Sequence, residues 1–409
     1  MPSRRAFCSR SAAMAAGAWL GPVRAVAASA KPVRITGIDI FPIEIPIPRP
    51  ELEAGKYARY TVAKVETDAG VRGYSFDRGA DDRLLDSRIR PALVGQDLFA
   101  IERHLGAGLA AWGGLEHALW DAIGKIAGQP VYRLLGGSKS SLKAYVTCVW
   151  RGPADQSHVP YREQAEMALR VKKAGFGGMK IRAWRPDPMQ DVEACGEIRA
   201  AVGPDFAIMF DRTAGLPGTV WSYETALKVA RGLERHRAYW LEEPFDRSDF
   251  ASPARLAREV GIPITGGEGF QGLRAYRECL AGQSYDVLQP DAVRAGGIFM
   301  VRKIAALAEA FGKPLVLHGA MGLRLAGPIQ ASAAFGAEWQ ELALITPPLM
   351  PEEQWSPALQ VLNSKSLFTL RDGEIQAPQG PGLGLDVDEE AVLRFRGGKD
   401  RNFYPQYPA

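Results

Sequence analysis

Apolar runs along this chain repeatedly stop on a polar side chain. FAIMF leads to Asp211, AYWL to Glu242, IPITGG to Glu268, YDVLQP to Asp291, KPLVL to His318 and AEWQ to Glu341. The steps between these six residues are 31, 26, 23, 27 and 23, and FGGMKIR sets Lys180 and Arg182 one step earlier. A strand, an amphipathic helix and two turns need about this length. Stretches such as YREQAEMALRVKKAG and FMVRKIAALAEAFG, with helical spacing, fill the intervals. The pattern predicts strands at Ala144–Trp150, Gly178–Arg182, Phe206–Asp211, Tyr239–Glu242, Pro263–Glu268, Tyr285–Asp291, Pro314–His318 and Glu338–Leu342. That is an α/β chain with a modified (β/α)8 TIM barrel over residues 141–345 and its chemistry at the C-terminal ends of the strands.

The residues before the barrel follow a different rhythm. Residues 33–48 alternate as a strand, and 60–76 read as two strands around the turn Asp68-Ala69-Gly70. Residues 81–108 are mostly helical in pattern, and Leu115–Lys125 is a helix stopped by Gly128 and Pro130. An α+β capping domain over 33–140, joined to the barrel near Gly136-Gly137, accounts for this. The C-terminal segment 346–409, with GPGLGLD at 380–386, is expected to pack back on that cap and complete it. A length of 409 residues suits a barrel of roughly 250 residues with a second domain.

Charge changes the picture at the N-terminus. Residues 1–30 hold Arg4, Arg5, Arg10 and Arg24 and no acid; without them, 46 basic residues face 46 acidic ones. The remainder has no basic stripe of a nucleic-acid binder. No apolar run after residue 30 approaches the roughly 20 residues that span a bilayer. Arg4-Arg5-Ala6-Phe7, then AAMAAGAWLGPV and AVAASA, resemble a twin-arginine export signal cleaved after Ala27 or Ala30. A periplasmic location without membrane attachment is the expectation. Cys8 would leave with the signal; Cys148, Cys195 and Cys279 form neither a disulfide framework nor a zinc pattern and read as core.

Asp211, Glu242 and Glu268 come from successive strands and would repel one another at a barrel mouth without a cation. Hard oxygen ligands with room for water and substrate suit Mg²⁺ better than zinc. Glu243 competes with Glu242, but strand alternation sends only one of the two inward. Asp291 and His318 end neighbouring strands, where a carboxylate fixes the imidazole tautomer and raises basicity at the other nitrogen. Lys180 and Arg182, two apart, both face the interior. A lysine beside an arginine and a divalent cation loses its proton more readily, so Lys180 is a candidate base or a carboxylate clamp. Arg182 stays protonated and is expected to bind an anionic group. Glu341 completes the ring, as a protonated acid or as a hydrogen-bonding partner of a substrate carboxylate. A metal that chelates a carboxylate lowers the cost of removing the adjacent α-proton by stabilising the enediolate.

At these residues the chain resembles the enolase superfamily, and more closely its mandelate racemase subgroup. The resemblance covers nearly all of residues 33–390. It rests on VETDAGVRGY at 65–74, HALWDAIGKIAGQPVYRLLGG at 117–137, KIR at 180–182, LEEP at 241–244, GGE at 266–268, LQPDAVRAGGI at 288–298, LHG at 317–319 and the GPGLGLD segment. It implies Mg²⁺ on Asp211, Glu242 and Glu268, a base at His318 with Asp291, Lys180 at the opposite face, and Glu341 assisting the carboxylate. It also implies a closed homo-oligomer, and specificity from cap loops at Pro46–Tyr60 and Ser75–Asp82. Glu51, Glu53, Lys56, Tyr57 and Arg59 are candidate contacts there.

Two departures shape the expected reaction. The family often shows D-x-N at the third strand; here Asp211-Arg212-Thr213 puts Thr213 where an amide elsewhere bonds the substrate. Arg182 stands where racemases of the subgroup carry a second lysine, and arginine is a poor base. Dehydration of an acid sugar to a 2-keto-3-deoxy acid is therefore expected ahead of racemisation or epimerisation of a 2-hydroxy or amino acid derivative. Cycloisomerisation of the muconate type uses a lysine near the sixth strand, where this chain has Arg294. A non-catalytic periplasmic binder of acid sugars is the reading from another class.

Overall fold

The alternation in residues 33–48 makes a long edge strand, β1 (Ile35–Pro46), whose Ile38, Ile40, Ile43 and Ile45 turn inward. β1 pairs antiparallel with β2 (Tyr57–Thr67), and β2 with β3 (Arg72–Asp77). The computed structural model describes residues 31–47, 57–79, 82–150, 158–215, 218–344 and 349–397. The proposed export signal, Glu51, Glu53 and Lys56 lie outside them.

The helix Gly113–Ala127 is the hinge piece of the fold. Every residue from Gly113 to Gly124 is buried, as expected of a helix that is covered on all sides. Asp121, on this helix, accepts hydrogen bonds from Tyr74 N on β3 (2.8 Å) and from Leu383 N in the C-terminal segment (2.8 Å). One turn earlier, Glu116 reaches into the barrel. Its carboxylate accepts Ile298 N (2.8 Å) and Phe299 N (2.9 Å), the first amides of the helix Ile298–Ala310, and also Trp120 Nε1 (2.7 Å). The orphan amides of a helix start are thus capped by a side chain from a distant part of the chain. Gly297 must be glycine there: its φ is 110°, and a Cβ would collide with the Glu116 carboxylate.

Eight parallel strands follow: β4 (Ser141–Cys148), β5 (Gly178–Arg182), β6 (Ala207–Asp211), β7 (Trp240–Glu242), β8 (Ile264–Gly266), β9 (Val287–Leu288), β10 (Leu317–Ala320) and β11 (Trp339–Leu344). They run in the order β10-β11-β4-β5-β6-β7-β8-β9. The ring is nearly closed by a parallel bridge, Leu288 to Leu315, and by His318 N donating to Pro290 O (3.0 Å). Several strands are shorter than the apolar runs suggest. Gly267 (φ 113°) ends β8 and Glu243 (φ 47°) ends β7, while Pro290 has no amide to extend β9. The described residues from Val33 onward form one compact unit, with no break between cap and barrel.

Strand alternation builds the barrel interior in two layers. Tyr145, Met209, Trp240, Val316 and Trp339 pack as an apolar floor. The Tyr145 ring meets Trp240 edge-on at 5.4 Å and Trp339 at 6.1 Å. Two residues further along the same strands stand Thr147, Asp211, Glu242, His318 and Glu341. The period of two in a strand therefore places a polar tier directly above a packed apolar one. After β11 the chain returns to both bodies. β12 (Leu370–Arg371) and β13 (Glu374–Gln376) form a hairpin whose β13 pairs antiparallel with β4 of the barrel, while Arg396 pairs with Asp39 of β1 (2.9 Å). The tail thus packs on the barrel as well as on the cap, because β4 begins at Ser141, ahead of Tyr145 where its pairing with β5 starts, and that first stretch offers the tail a ladder.

Burial pushes the Glu116 carboxyl up to about 7, against three N–H groups that pull it down. A carboxyl raised in the folded state supports folding fully below its ordinary value of 4.5 and loses that support as pH rises through about 7. Glu116→Ala strands buried donors, so it should cost about 2–4 kcal/mol at pH 5. The gap to the parent should narrow above pH 7. Urea unfolding at the two pH values checks both statements; a pH-independent gap would remove the titration of Glu116 from the account.

Candidate active site

The polar tier holds an unusual density of buried charge. Lys180 is fully buried at the centre of β5, yet its ammonium lies 2.8 and 2.9 Å from the two carboxylate oxygens of Glu242. Glu341 Oε1 is 3.0 Å away and Asp211 Oδ2 3.5 Å. Strand register explains the crowding: Thr147 of β4 pairs with Lys180, Arg182 with Asp211, and Asp211 with Glu242. Burial alone would lower the lysine, but Glu242 and Glu341 outweigh it and hold its pKa above the ordinary lysine range. In this arrangement its carboxylates hold Lys180 protonated, as suits the carboxylate clamp of the two roles expected for it. Arg182 was its visible neighbour in sequence, whereas the carboxylates reach it only across the closed barrel.

Each acid of the predicted metal set is turned to a cation of the protein. Asp211 is paired with Arg182, and its Oδ1 accepts both the amide (2.7 Å) and the hydroxyl (2.8 Å) of Thr213. Thr213 has φ 53°, a left-handed conformation that folds its side chain back on Asp211. Arg182 Nη1 also donates to Thr213 Oγ1 (2.8 Å). Thr213 and Arg182, expected to face substrate, are here bonded to each other and to Asp211. Glu242 binds Lys180 and accepts Gln289 Nε2 (3.0 Å). Glu268 is held by Arg247 and by His318 Nε2 (2.8 Å). Among the described residues no three His, Cys, Asp or Glu side chains are gathered as a metal-binding group. The donor chemistry nevertheless fits a hard divalent cation. Three carboxylates, at 1, 1 and 8% exposure, stand at the ends of three consecutive strands, and each is met by a protein cation.

His318 bridges two acids. Its Nδ1 is 3.0 Å from Asp291 Oδ2, and Asp291 Oδ1 is fixed by the amides of Val293 (2.8 Å) and Arg294 (2.9 Å). Burial opposes charge on the ring, but Glu268 and Asp291 hold its pKa well above the usual histidine value. Glu341 lies between His318 and Lys180 in strand order. Thr147 Oγ1 donates to its Oε1, and Gly319 N to its Oε2 (2.8 Å). Burial would raise this carboxyl; Lys180 and His318 dominate and keep it below the usual range. Glu341 is therefore an anion here, which corrects the option of a protonated acid.

The two neighbouring glutamates part as expected, and the structure adds Arg247, Thr147 and Gln289, which the sequence did not mark. Glu243 does not enter the mouth; Arg247, four residues on, grips it at 2.6–3.0 Å and bridges it to Glu268. Thr147 and Gln289 orient Glu341 and Glu242. Arg247 sits in the surface-like loop FDRSD, but Thr147 and Gln289 carried a signal, being inward positions at strand ends.

Comparison with known proteins agrees with this geometry. Residues 161–391 match the family described as enolase C-terminal domain-like, and residues 51–136 match the mandelate racemase / muconate lactonizing enzyme N-terminal domain. The chain belongs to the mandelate racemase and muconate lactonizing enzyme family of the enolase superfamily. It is 29% identical over 352 residues to arabinonate dehydratase of Saccharolobus solfataricus, covering 81% of this chain and 89% of that one. To D-galactonate dehydratase of Ralstonia nicotianae it is 30% identical over 378 residues, covering 84% and 92%. Its fold superposes on magnesium-bound D-glucarate dehydratase of Agrobacterium tumefaciens with a TM-score of 0.77 at 27% identity, covering 89% and 99%. The chain is thus an enzyme, with hydro-lyases and isomerases as its relatives, and the reading as a non-catalytic binder is set aside.

In this family member Lys180 is the only described cation that touches Glu242 and Glu341 together. Lys180→Met should leave buried carboxylates uncompensated and cost about 3–5 kcal/mol. Urea unfolding in chelator-treated buffer measures this. Stability within 1 kcal/mol of the parent would show that the carboxylates do not depend on the lysine, a threshold near that of exposed pairs.

Proposed function

We propose that this enzyme removes the α-proton of a sugar acid and expels the neighbouring β-hydroxyl as water, giving a 2-keto-3-deoxy acid. The observation that carries the reading is the His318–Asp291 pair on the same barrel mouth as buried Lys180. Asp291 holds Nδ1, so Nε2 is the nitrogen that faces the mouth. Glu268 now holds the Nε2 proton of His318; with that carboxylate given over to a metal ion, the neutral imidazole can take the α-proton and return a proton to the departing hydroxyl on the same side of the substrate. The C–H and C–O bonds break, an enol forms, and it ketonises to the product. Lys180, held protonated, suits the clamping of a substrate carboxylate beside Glu341. Arg182 cannot serve as a second base, which disfavours two-base racemisation.

Asp211, Glu242 and Glu268 would hold Mg²⁺, as magnesium-bound relatives suggest. When bound, the ion supplies positive charge against the anion that develops on the substrate carboxylate. The relatives named above act on monoacids and on a diacid, so the coarse class, a sugar acid, is what they support.

Proton NMR in D₂O, with Mg²⁺ and pooled mono- and diacid sugars, tests the reading. New 3-deoxy methylene signals are expected, lost with EDTA and restored by Mg²⁺, and absent in His318→Asn. Loss of an α-proton signal with inversion and no methylene would make the enzyme a racemase or epimerase instead. Full activity of His318→Asn would remove the dyad from the mechanism.

We propose further that Arg4 and Arg5 direct export to the periplasm and that the mature chain assembles as a closed homo-oligomer. Replacing both arginines by lysine should retain the protein in the cytoplasm. Sedimentation of the exported protein should give a multiple of the chain mass. Unchanged export would point to another route, and a monomer would remove the assembly.

A further inference from the structure

A cavity of about 90 Å³ opens beside the catalytic histidine, at the contact of cap and barrel. Its lining includes Arg78, Arg294, Arg324, Asp77, Asp291 and His318. The residues come from separate elements. Asp77 and Arg78 end β3, Asp291 and Arg294 follow β9, and Arg324 lies in the turn Gly322–Leu325 after β10. The space suits several waters, or a carboxylate with its adjoining carbons.

Positive charge dominates this wall. Asp291 is committed to His318 and to two backbone amides. Asp77 is buried, and desolvation pushes its carboxyl up to about 7. Arg324 donates through Nη2 to Arg59 O (3.1 Å) and lies over the Tyr60 ring, while its Nε is buried with no hydrogen-bond partner. Burial, and Arg78 next, lower its pKa to about 9. Among the described residues neither Arg78 nor Arg324 forms an ion pair with a carboxylate. Guanidinium groups arranged so are unfavourable until an anion arrives, and their planar donors match a carboxylate.

We infer that this cavity receives the second carboxylate of a dicarboxylic sugar acid, making the preferred substrate an aldarate rather than an aldonate. The inference rests on the sugar-acid reading above. One end of the chain would lie at Lys180 and His318, and the other would reach Arg78 and Arg324. An aldonate offers only a neutral hydroxyl there and leaves the three guanidinium groups of the lining with Asp77 and Asp291 as its only acids.

Titration calorimetry of the full chain carrying His318→Asn, with Mg²⁺, tests it. Galactarate and glucarate are compared with galactonate and gluconate. At least one aldarate should bind about 10- to 100-fold more tightly than the aldonate of its configuration, the effect of one charge-assisted contact. Arg324→Gln should remove that preference. Arg78→Gln, at a less enclosed site, should weaken it even if the first variant fails to fold. Equal binding of the two classes, tighter binding of the aldonates, no binding of any, or a preference unchanged in both variants would each overturn the subsite. Tighter binding of 6-phosphogluconate than of either aldarate would also overturn it, in favour of a phosphate. The NMR assay separates the two readings. Dehydration of aldonates alone keeps the reaction and removes the subsite, while aldarate preference without keto-deoxy product keeps the subsite and removes the dehydration.

Discussion

The mouth of this barrel is governed by the cost of burying like charges. Asp211, Glu242, Glu268 and Glu341 occupy one tier of a nearly closed ring, each almost inaccessible to water. Such a set exists only if cations stand among the acids, because an uncompensated buried charge costs several kcal/mol. Lys180 touches three of them and is the pivot; Arg182, Arg247 and His318 complete the balance. The aromatic floor of Tyr145, Trp240 and Trp339 keeps the tier dry from below, which strengthens every Coulomb term above it.

Balance of this kind leaves the site rigid but exchangeable. Each acid is paired with a side chain rather than locked wholly into backbone, so an incoming cation or substrate carboxylate can replace one partner without exposing another. The backbone accommodates this at strained positions: Glu243, directly after the strand that carries Glu242, and Thr213, two residues after Asp211, both have positive φ. Such strain persists where the surroundings over-determine the fold and clusters at functional sites. Asp211 depends on Thr213 for two hydrogen bonds, so the left-handed turn contributes to the orientation of the acid.

Much of the barrel was legible because its signal is local. An apolar run that stops on a charged residue shows both the strand and the polar side chain it carries to the mouth, and His318, Glu341 and Lys180 were placed in the barrel in this way. The protonation of Lys180 was not legible. Sequence displays Arg182 two residues away but not the carboxylates that close on the lysine from β7 and β11. Arg247 escaped for a similar reason: its loop reads as solvent-facing, and its partner Glu268 is 21 residues away. Strand lengths were overestimated where Gly267, Glu243 and Pro290 end the ladder, since hydrophobicity continues past the last paired residue.

The position of Glu116 bears on how such proteins exchange parts. Glycines 136 and 137 look like the seam between cap and barrel, yet the helix that carries Glu116 lies before that seam and belongs by its contacts to both bodies. Its carboxylate holds the start of helix Ile298–Ala310, which follows directly on the loop bearing Asp291 and Arg294. A chimera cut at the glycine pair would join a foreign carboxylate, or none, to a barrel whose Gly297 is shaped around this one. A cut before Gly113 would keep Glu116 with its barrel partners but part Asp121 from Tyr74 of β3 and Gly73 from the helix it packs on, so the helix has to travel with both bodies and the two exchange as one piece.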